Sequence, residues 1–394
     1  MARILVVGAS VLQVPMVLAA KARGHWVAVA DRDPRAVGIA FADRFFPAST
    51  IDEEALVEAA REVRAEAIVT MATDQPLCAM ARAQAALGLA GMSYETALRA
   101  TRKDLQRETL AAAGVPCPRF LRVRCEEDLA EAWEELSPPV IVKPVDSSGS
   151  RGVTLVETRE GLGHALAHAL GHSRGRAAVA EEFLVGRELS VETLSVEGRL
   201  HVLQVTEKVT TGPPHFVESG HAQPARLSEA DHRAIEDIAA AAARALGITS
   251  GPTHTEVMLT AAGPRIVEVG ARLGGDYITS DLVPLSTGID MVGLTLDLAL
   301  GRQVAVPEAL RRGAAIRYFF PPPGKVAAVE GVANGEALPG VVRIEIFRGV
   351  AGDIVPVTGS HERAGYVISQ GSNVEEAIAV AEHAVRTVRF AVTS

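Results

Sequence analysis

Thr253-His254-Thr255-Glu256-Val257-Met258-Leu259 and Arg265-Ile266-Val267-Glu268-Val269-Gly270-Ala271-Arg272 flank the turn Thr260-Ala261-Ala262-Gly263-Pro264. Two such runs around a short Gly/Pro turn predict antiparallel strands joined by a five-residue loop. With the loop centred on Ala262, cross-strand partners have numbers summing to twice that position, which sets Glu256 opposite Glu268. Carboxylates facing each other with Cβ atoms about 5 Å apart destabilise a sheet unless positive charge sits between them. A hard divalent cation supplies that charge and binds nucleotide phosphate oxygens as well as carboxylates. Period two adds His254, Gly270 and Arg272 to the same face. Alone, the pattern fits an exposed hairpin with scattered charges equally well; neighbouring motifs have to decide.

Upstream, Val140-Ile141-Val142-Lys143-Pro144 reads as a strand ending in a lysine. Asp146-Ser147-Ser148-Gly149-Ser150-Arg151-Gly152 follows, and then a second strand over 153–156. A Gly/Ser loop between strands offers backbone N–H groups and hydroxyls without bulk, which suits a flap over phosphates, although a plain hairpin tip has the same composition. It is neither a P-loop nor a kinase glycine loop. Glu181-Glu182-Phe183-Leu184 and Glu188 come next, then an alternating strand over 189–194. Backbone polar groups beside an apolar pair suit a flat heterocycle, and a nearby carboxylate suits a ribose diol.

The N-terminal third has another rhythm. Apolar strands over 3–7, 27–30 and 67–71 alternate with helical patterns over 11–23, 54–64 and 75–87, which predicts a doubly wound parallel sheet. Asp31 ends the second strand, where an NAD enzyme holds its ribose, but the first turn has one glycine, Gly8, where the dinucleotide fingerprint needs three. A charged helix over 101–113 and the cluster Gly114-Val115-Pro116-Cys117-Pro118 separate this region from α+β patterning beyond 140. Ser372-Asn373-Val374-Glu375 reads as a capping box opening a last helix to about 389.

A chain of 394 residues is too long for one ordinary core. Its net charge of -9 without a Lys/Arg block argues against nucleic acid. No apolar run approaches the ~20 residues of a membrane span, and the chain runs straight into a strand with no signal peptide pattern. Cys78, Cys117 and Cys125 lack metal spacing and read as inert thiols of a reducing cytoplasm.

In order and spacing, Lys103, the Lys143 strand with its loop, the Glu-Glu-Phe-Leu segment, the glutamate hairpin and Arg272 resemble the ATP-grasp superfamily, most closely its L-amino acid ligase branch. The likeness implies a pre-ATP-grasp domain over 1–100, a small lobe with the phosphate flap over 101–185, and a large lobe with a C-terminal subdomain over 186–394. It implies ATP and Mg²⁺, for which Mn²⁺ can substitute. Lys103, Lys143, Ser147, Ser148, Gly149 and Ser150 would bind phosphates, Glu181, Glu182, Phe183 and Leu184 would line adenine, and Glu188 would hold ribose. Glu256 and Glu268 would carry the metal, while Arg272 would grip the transferred phosphoryl group. Glu218 and His221 would stand beside the amino-acid site, although His221 read without the resemblance is a surface or loop histidine. The implied activity is ADP-forming carboxylate–amine ligation through an acyl phosphate, with small-molecule acid and amine substrates and a possible homodimer; a carboxylate-activating enzyme with a non-amino-acid acceptor is the alternative. The segments at 317–321, 339–341 and 363–367 match this branch as scaffold.

Two positions depart from the pattern. Gly270 stands where many relatives have Asn, so a neighbour or water must replace one ligand. Asp276 stands where some dipeptide ligases have Trp, and the expected partner for its charge is a cationic amine of a substrate.

Overall fold

A computed structural model describes residues 1–149, 151–213 and 215–393. Strands β1 (Arg3–Val7), β2 (Trp26–Asp31), β3 (Arg44–Pro47) and β4 (Ala67–Val69) form a parallel sheet in the order β3-β2-β1-β4. Their near-continuous apolar runs are what a sheet covered on both faces requires, and Ile4, Leu5, Val6 and Val7 are all buried. Helices α1 (Val14–Ala22), α2 (Glu53–Val63) and α3 (Leu77–Leu87) cover it. The first starts three residues later than the periodicity predicts, because Pro15 occupies its first turn. Asp31 accepts from the amides of Ala9 (2.8 Å) and Asp33 (2.9 Å), so its carboxylate ties two loops together instead of awaiting a ribose.

The charged helix expected over 101–113 is two helices, α4 (Tyr94–Thr101) and α5 (Lys103–Ala112), meeting at Arg102 in extended geometry. Beyond α5, β5 (Phe120–Val123), β6 (Val140–Pro144), β7 (Thr154–Val156) and β8 (Ala178–Glu182) build an antiparallel sheet in the order β5-β8-β6-β7. Helices α6 (Glu126–Leu136) and α7 (Leu162–His172) back it through Leu129, Trp133, Ala165 and Leu166.

Strands β9 (Arg187–Val196), β10 (Arg199–Thr210), β11 (Glu218–Gln223), β12 (Gly251–Thr260), β13 (Gly263–Gly270) and β14 (Gly313–Tyr318) belong to an eight-stranded sheet. With β15 (Gly324–Glu330), β16 (Val341–Ile346), β17 (Asp353–Ile354), β18 (Gly365–Gly371) and β19 (Arg389–Thr393) counted in chain order, its sequence of strands is β13-β12-β9-β10-β11-β14-β18-β16. Helix α8 (Glu229–Leu246), capped by Ser228, packs beneath it through Ile235, Ile238, Ala242 and Leu246.

The edge strand β13 is closed by α5. The Gln106 side chain accepts from the amide of Val269 (2.8 Å) and donates to its carbonyl (2.9 Å), filling the place of a neighbouring strand. The last helix spans Val374–Thr387, with Asn373 as its cap, one residue beyond the expected Ser372. Ser372 instead donates its amide and hydroxyl to Glu376, and β19 takes over after the helix. Among the described residues no single helix is long and apolar enough to cross a membrane.

Candidate active site

Glu256 and Glu268 face each other as the sequence predicts, but by another route. The turn is tighter than five residues: Thr260 pairs with Gly263 and Met258 with Arg265, one register step from the expected ladder. A bulge between Glu256 and Val257, with Val267 the extra residue, restores the offset and brings the carboxylates opposite.

Each carboxylate is met by an ammonium. Lys103 Nζ, from the first turn of α5, is 2.5 Å from Glu268 Oε1, and Lys208 Nζ, from β10, is 3.1 Å from Glu256 Oε1. Burial by itself would raise the Glu256 carboxyl, but Lys208 and His254 outweigh it and hold the group well below the usual carboxylate range. The positive charge demanded by the pair is thus present as lysine. Among the described residues no three His, Cys, Asp or Glu side chains gather to hold a metal. Two opposed hard-oxygen donors remain a fit for a magnesium-class cation whose other ligands are phosphate oxygens.

Gly270 pairs with His254, two residues along from the glutamates. A Cβ built at Gly270 would lie 2.8 Å from Asp74 Oδ1, so a carboxylate from the loop after β4 fills the space of the missing side chain. That oxygen is buried without a hydrogen-bond partner, while Asp74 Oδ2 accepts from Arg272 Nη2 at 2.9 Å. Arg272 is thereby aimed by the N-terminal region, with its own buried Nε left free.

Lys143 lies on β6 in the antiparallel sheet of β5, β6, β7 and β8. Its ammonium is 2.8 Å from Glu181 Oε2, and Arg107 clamps the same carboxylate from α5 at 2.9 and 3.2 Å. Burial pushes the Lys143 ammonium below its ordinary range; Glu181 offsets part of this, and Arg107 and Lys103 add to it. Glu181 therefore serves two internal cations, and Glu182 is held by Arg119 at 3.0 and 3.1 Å. The carboxylates of this pair are engaged inside the protein, whereas Phe183 and Leu184 are half-buried, with the Phe183 ring 6.5 Å from that of Phe216.

The loop carrying Ser147, Ser148 and Gly149 is anchored at its root. Asp146 accepts from the amides of Arg174 (3.2 Å) and Gly175 (2.9 Å), and the Lys103 amide donates to the carbonyl of Val145 at 2.8 Å. Ser150 lies outside the described residues.

Lys208 is the hub of the larger sheet. Besides Glu256 it contacts Glu188 (2.5 Å) and Glu218 (4.0 Å), and it is itself buried at 5% side-chain exposure. Burial would push its ammonium down, but Glu256, Glu188 and Glu218 outweigh that and hold it well above the usual lysine range. Glu192 and His254 form a second buried pair at 2.6 Å, and burial, which favours neutral imidazole, loses to Glu192, raising His254 to about 9. The strand over 189–194 does not alternate between core and solvent: residues 189–195 are all buried, with Ser190 and Glu192 on the face of Glu188 and with Leu189 and Val191 on the face packed against α8.

His221 is neither a surface nor a loop residue. It sits on β11 opposite Lys208, 1% exposed, with both ring nitrogens lacking a hydrogen bond and Nε2 3.5 Å from Asp276 Oδ2. Glu218 accepts from Ser360 Oγ at 2.9 Å. Asp276 does not wait for a substrate amine: Arg363 donates to both its oxygens at 2.8 Å and stacks over Tyr318. The segment at 363–367 is therefore more than scaffold, because its first residue neutralises the acid that sequence reasoning left unpaired. Arg363 entered the sequence reading only as the first residue of a scaffold segment, and Arg107, Lys208, Asp74 and Glu192 were not singled out by the motifs. Arg107 alone carried a signal, standing four residues after Lys103 on one helical face.

Comparison with known proteins adds independent support. The ATP-grasp domain family matches residues 136–281, and L-amino acid ligase C-terminal domain 2 matches residues 317–393. Alanine–anticapsin ligase of Bacillus subtilis is 29% identical over 315 residues, covering 74% of this chain and 66% of that relative. The chain thus spans just under two thirds of that curated relative's length. Formate-dependent phosphoribosylglycinamide formyltransferase of Ignicoccus hospitalis is 26% identical over 95% of this chain and 92% of its own. The crystal structure of L-amino acid ligase from Bacillus licheniformis superposes with a TM-score of 0.86 at 25% identity, covering 100% of this chain and 99% of that one.

Residues 136–281 are an ATP-grasp domain match, and the chain shares its fold with the L-amino acid ligase structure over its full length. Its C-terminal region and its overall fold are both most like those of L-amino acid ligases among the proteins compared above.

Proposed function

We propose that this protein is an ADP-forming carboxylate–amine ligase that uses ATP to join amino acids or amino-acid-like substrates. The observation that carries this reading is the cross-strand pair Glu256 and Glu268, with Lys103 and Lys208 on its oxygens. A site that opposes two carboxylates and surrounds them with movable cations is built to exchange those cations for a charged ligand. Magnesium, or manganese in its place, held by Glu256 and Glu268 would neutralise phosphate charge.

Phosphoryl transfer needs positioning and charge neutralisation more than covalent chemistry. Lys103 on α5 and Lys143 on β6 would hold phosphate oxygens, with Ser147, Ser148 and Gly149 as the covering loop and Ser150 as part of the same segment. Phe183 and Leu184 offer the apolar surface for the base, with Glu181 and Glu182 contributing backbone groups, and Glu188 is the ribose carboxylate. A substrate carboxylate oxygen attacks the γ-phosphorus, the bond from phosphorus to the bridging oxygen breaks, and ADP leaves with the electron pair. The amine then attacks the acyl carbon and phosphate departs. Arg272 would hold the phosphoryl oxygens, and His221 and Glu218 would take the proton that the amine loses.

ADP release measured across a panel of carboxylic and amino acids, with hydroxylamine as trapping amine, tests the reading. A hydroxamate from at least one acid is expected; ATP cleavage with no acid, or none at all, would sink it. The formyltransferase relative motivates a second reading, activation of formate or a similar small acid for a non-amino-acid acceptor. Mass analysis of the amide product separates the two.

A further inference from the structure

Lys208 lies between three carboxylates, Glu256 on β12, Glu188 on β9 and Glu218 on β11, and its cross-strand partner on β11 is His221. Two of these acids have other work in the ligase reading: Glu256 toward the cation and Glu188 toward the ribose. One ammonium among three carboxylates leaves the cluster with excess negative charge, so an arriving cation is drawn to it and can take over partners of the lysine. An ammonium has three donors and a flexible stem, so it can change partners without leaving its strand. Once MgATP engages Glu256 and Glu188, Lys208 keeps only the distant Glu218 at 4.0 Å, beside His221. An acid about to be phosphorylated must bring its own negative charge against a triphosphate at this point, and repulsion opposes that approach unless a cation meets it.

We propose that Lys208 binds the carboxylate of the acid substrate, being held in reserve by Glu188 and Glu256 until the nucleotide takes over those two residues. The proposal rests on the ligase reading and adds a named residue for the acid, together with an order of binding in which the nucleotide comes first. Lys208 stays charged throughout and transfers no proton; the carboxylate it orients makes the bond to phosphorus as ADP leaves.

The test uses the full chain with Lys208→Met and Lys208→Arg, the twenty proteinogenic amino acids as probes, MgATP, and hydroxylamine as acceptor. Calorimetry measures MgADP affinity, and thermal unfolding measures folding. Lys208→Met is expected to raise the half-saturating acid concentration by about 30-fold, the weight of one charge-assisted hydrogen bond, while MgADP affinity holds or rises, because Glu188 and Glu256 have lost their competing ammonium. Unchanged acid dependence, or MgADP affinity falling in parallel with it, overturns the proposal and leaves Lys208 a structural counter-ion. Should Lys208→Met fail to fold, Lys208→Arg decides. Its forked head keeps the charge but misplaces the donors, so the half-saturating acid concentration rises about tenfold at retained Tm; a wild-type value overturns the proposal. Wild-type protein that forms no hydroxamate with any of the probes removes amino acids as donors and this proposal with them, a result distinct from an active enzyme indifferent to Lys208.

Discussion

The parallel N-terminal sheet and the eight-stranded sheet are both buried, yet they are built from opposite materials. In β1, β2 and β4 the covered positions are Ile, Leu, Val and Ala, and the backbone ladder satisfies nearly every polar group. In β9, β10 and β12 the covered positions include Ser190, Glu192, Thr206, His254 and Thr255. Several of their atoms, among them Ser190 Oγ, Glu192 Oε2 and Thr255 Oγ1, have no hydrogen-bond partner. An unpaired buried polar group costs about 1–3 kcal/mol, so the second sheet carries a strain that the first avoids. Such groups mark where the molecule trades stability for binding.

Substitutions should divide along that line. The largest effect is expected from Glu268→Gln, which removes the charge that opposes Glu256: ADP formation should fall by about 10³-fold or more, while the shift in Tm stays under about 4 °C. Substantial residual turnover would refute the role given to the pair. Arg107→Met should do the reverse and act on folding first. It leaves Glu181 with Lys143 alone in a buried setting, and urea unfolding should show a loss of about 4 kcal/mol.

Asp276→Asn, which strips Arg363 of its bidentate partner, should cost about 3 kcal/mol. Burial would raise the Asp276 carboxyl, but Arg363 and His221 hold it well below the usual range. A folded pKa below the unfolded value of ~3.9 means that this stabilisation is present in full above that pH and fades as pH falls below it. The stability gap between wild type and Asp276→Asn should therefore narrow between about pH 5 and pH 2. A constant gap would mean that the ion pair is not its source. In the other sheet, Val29→Ala deletes buried methyl groups in a core with no site function, and about 2 kcal/mol of stability should go with unchanged turnover per folded molecule.

The sheet that was easy to read is the one with the simple material. Apolar runs broken by Gly8, Gly24 and Pro15 carry their own geometry, so β1, β2 and the helices between them were legible to within a few residues. The glutamate pairing was also legible, though the five-residue loop and the regular ladder behind it were not what the chain uses. The alternation in β9 was legible but not its surroundings, because Ser and Glu alternating with Leu and Val look identical whether the polar face meets water or a buried site.

By itself the sequence determined the parallel sheet, the strand hairpin, the opposed carboxylates and the loop between β6 and β7, since each depends on residues close along the chain. Tertiary structure alone decided which cation meets which acid. Lys103 reaches Glu268 across 165 positions, Arg272 reaches Asp74 across 198, and Arg363 reaches Asp276 across 87. Charge pairing of this kind is set by distance in space, and a carboxylate in a sequence carries no mark of the cation that the folded chain will bring to it.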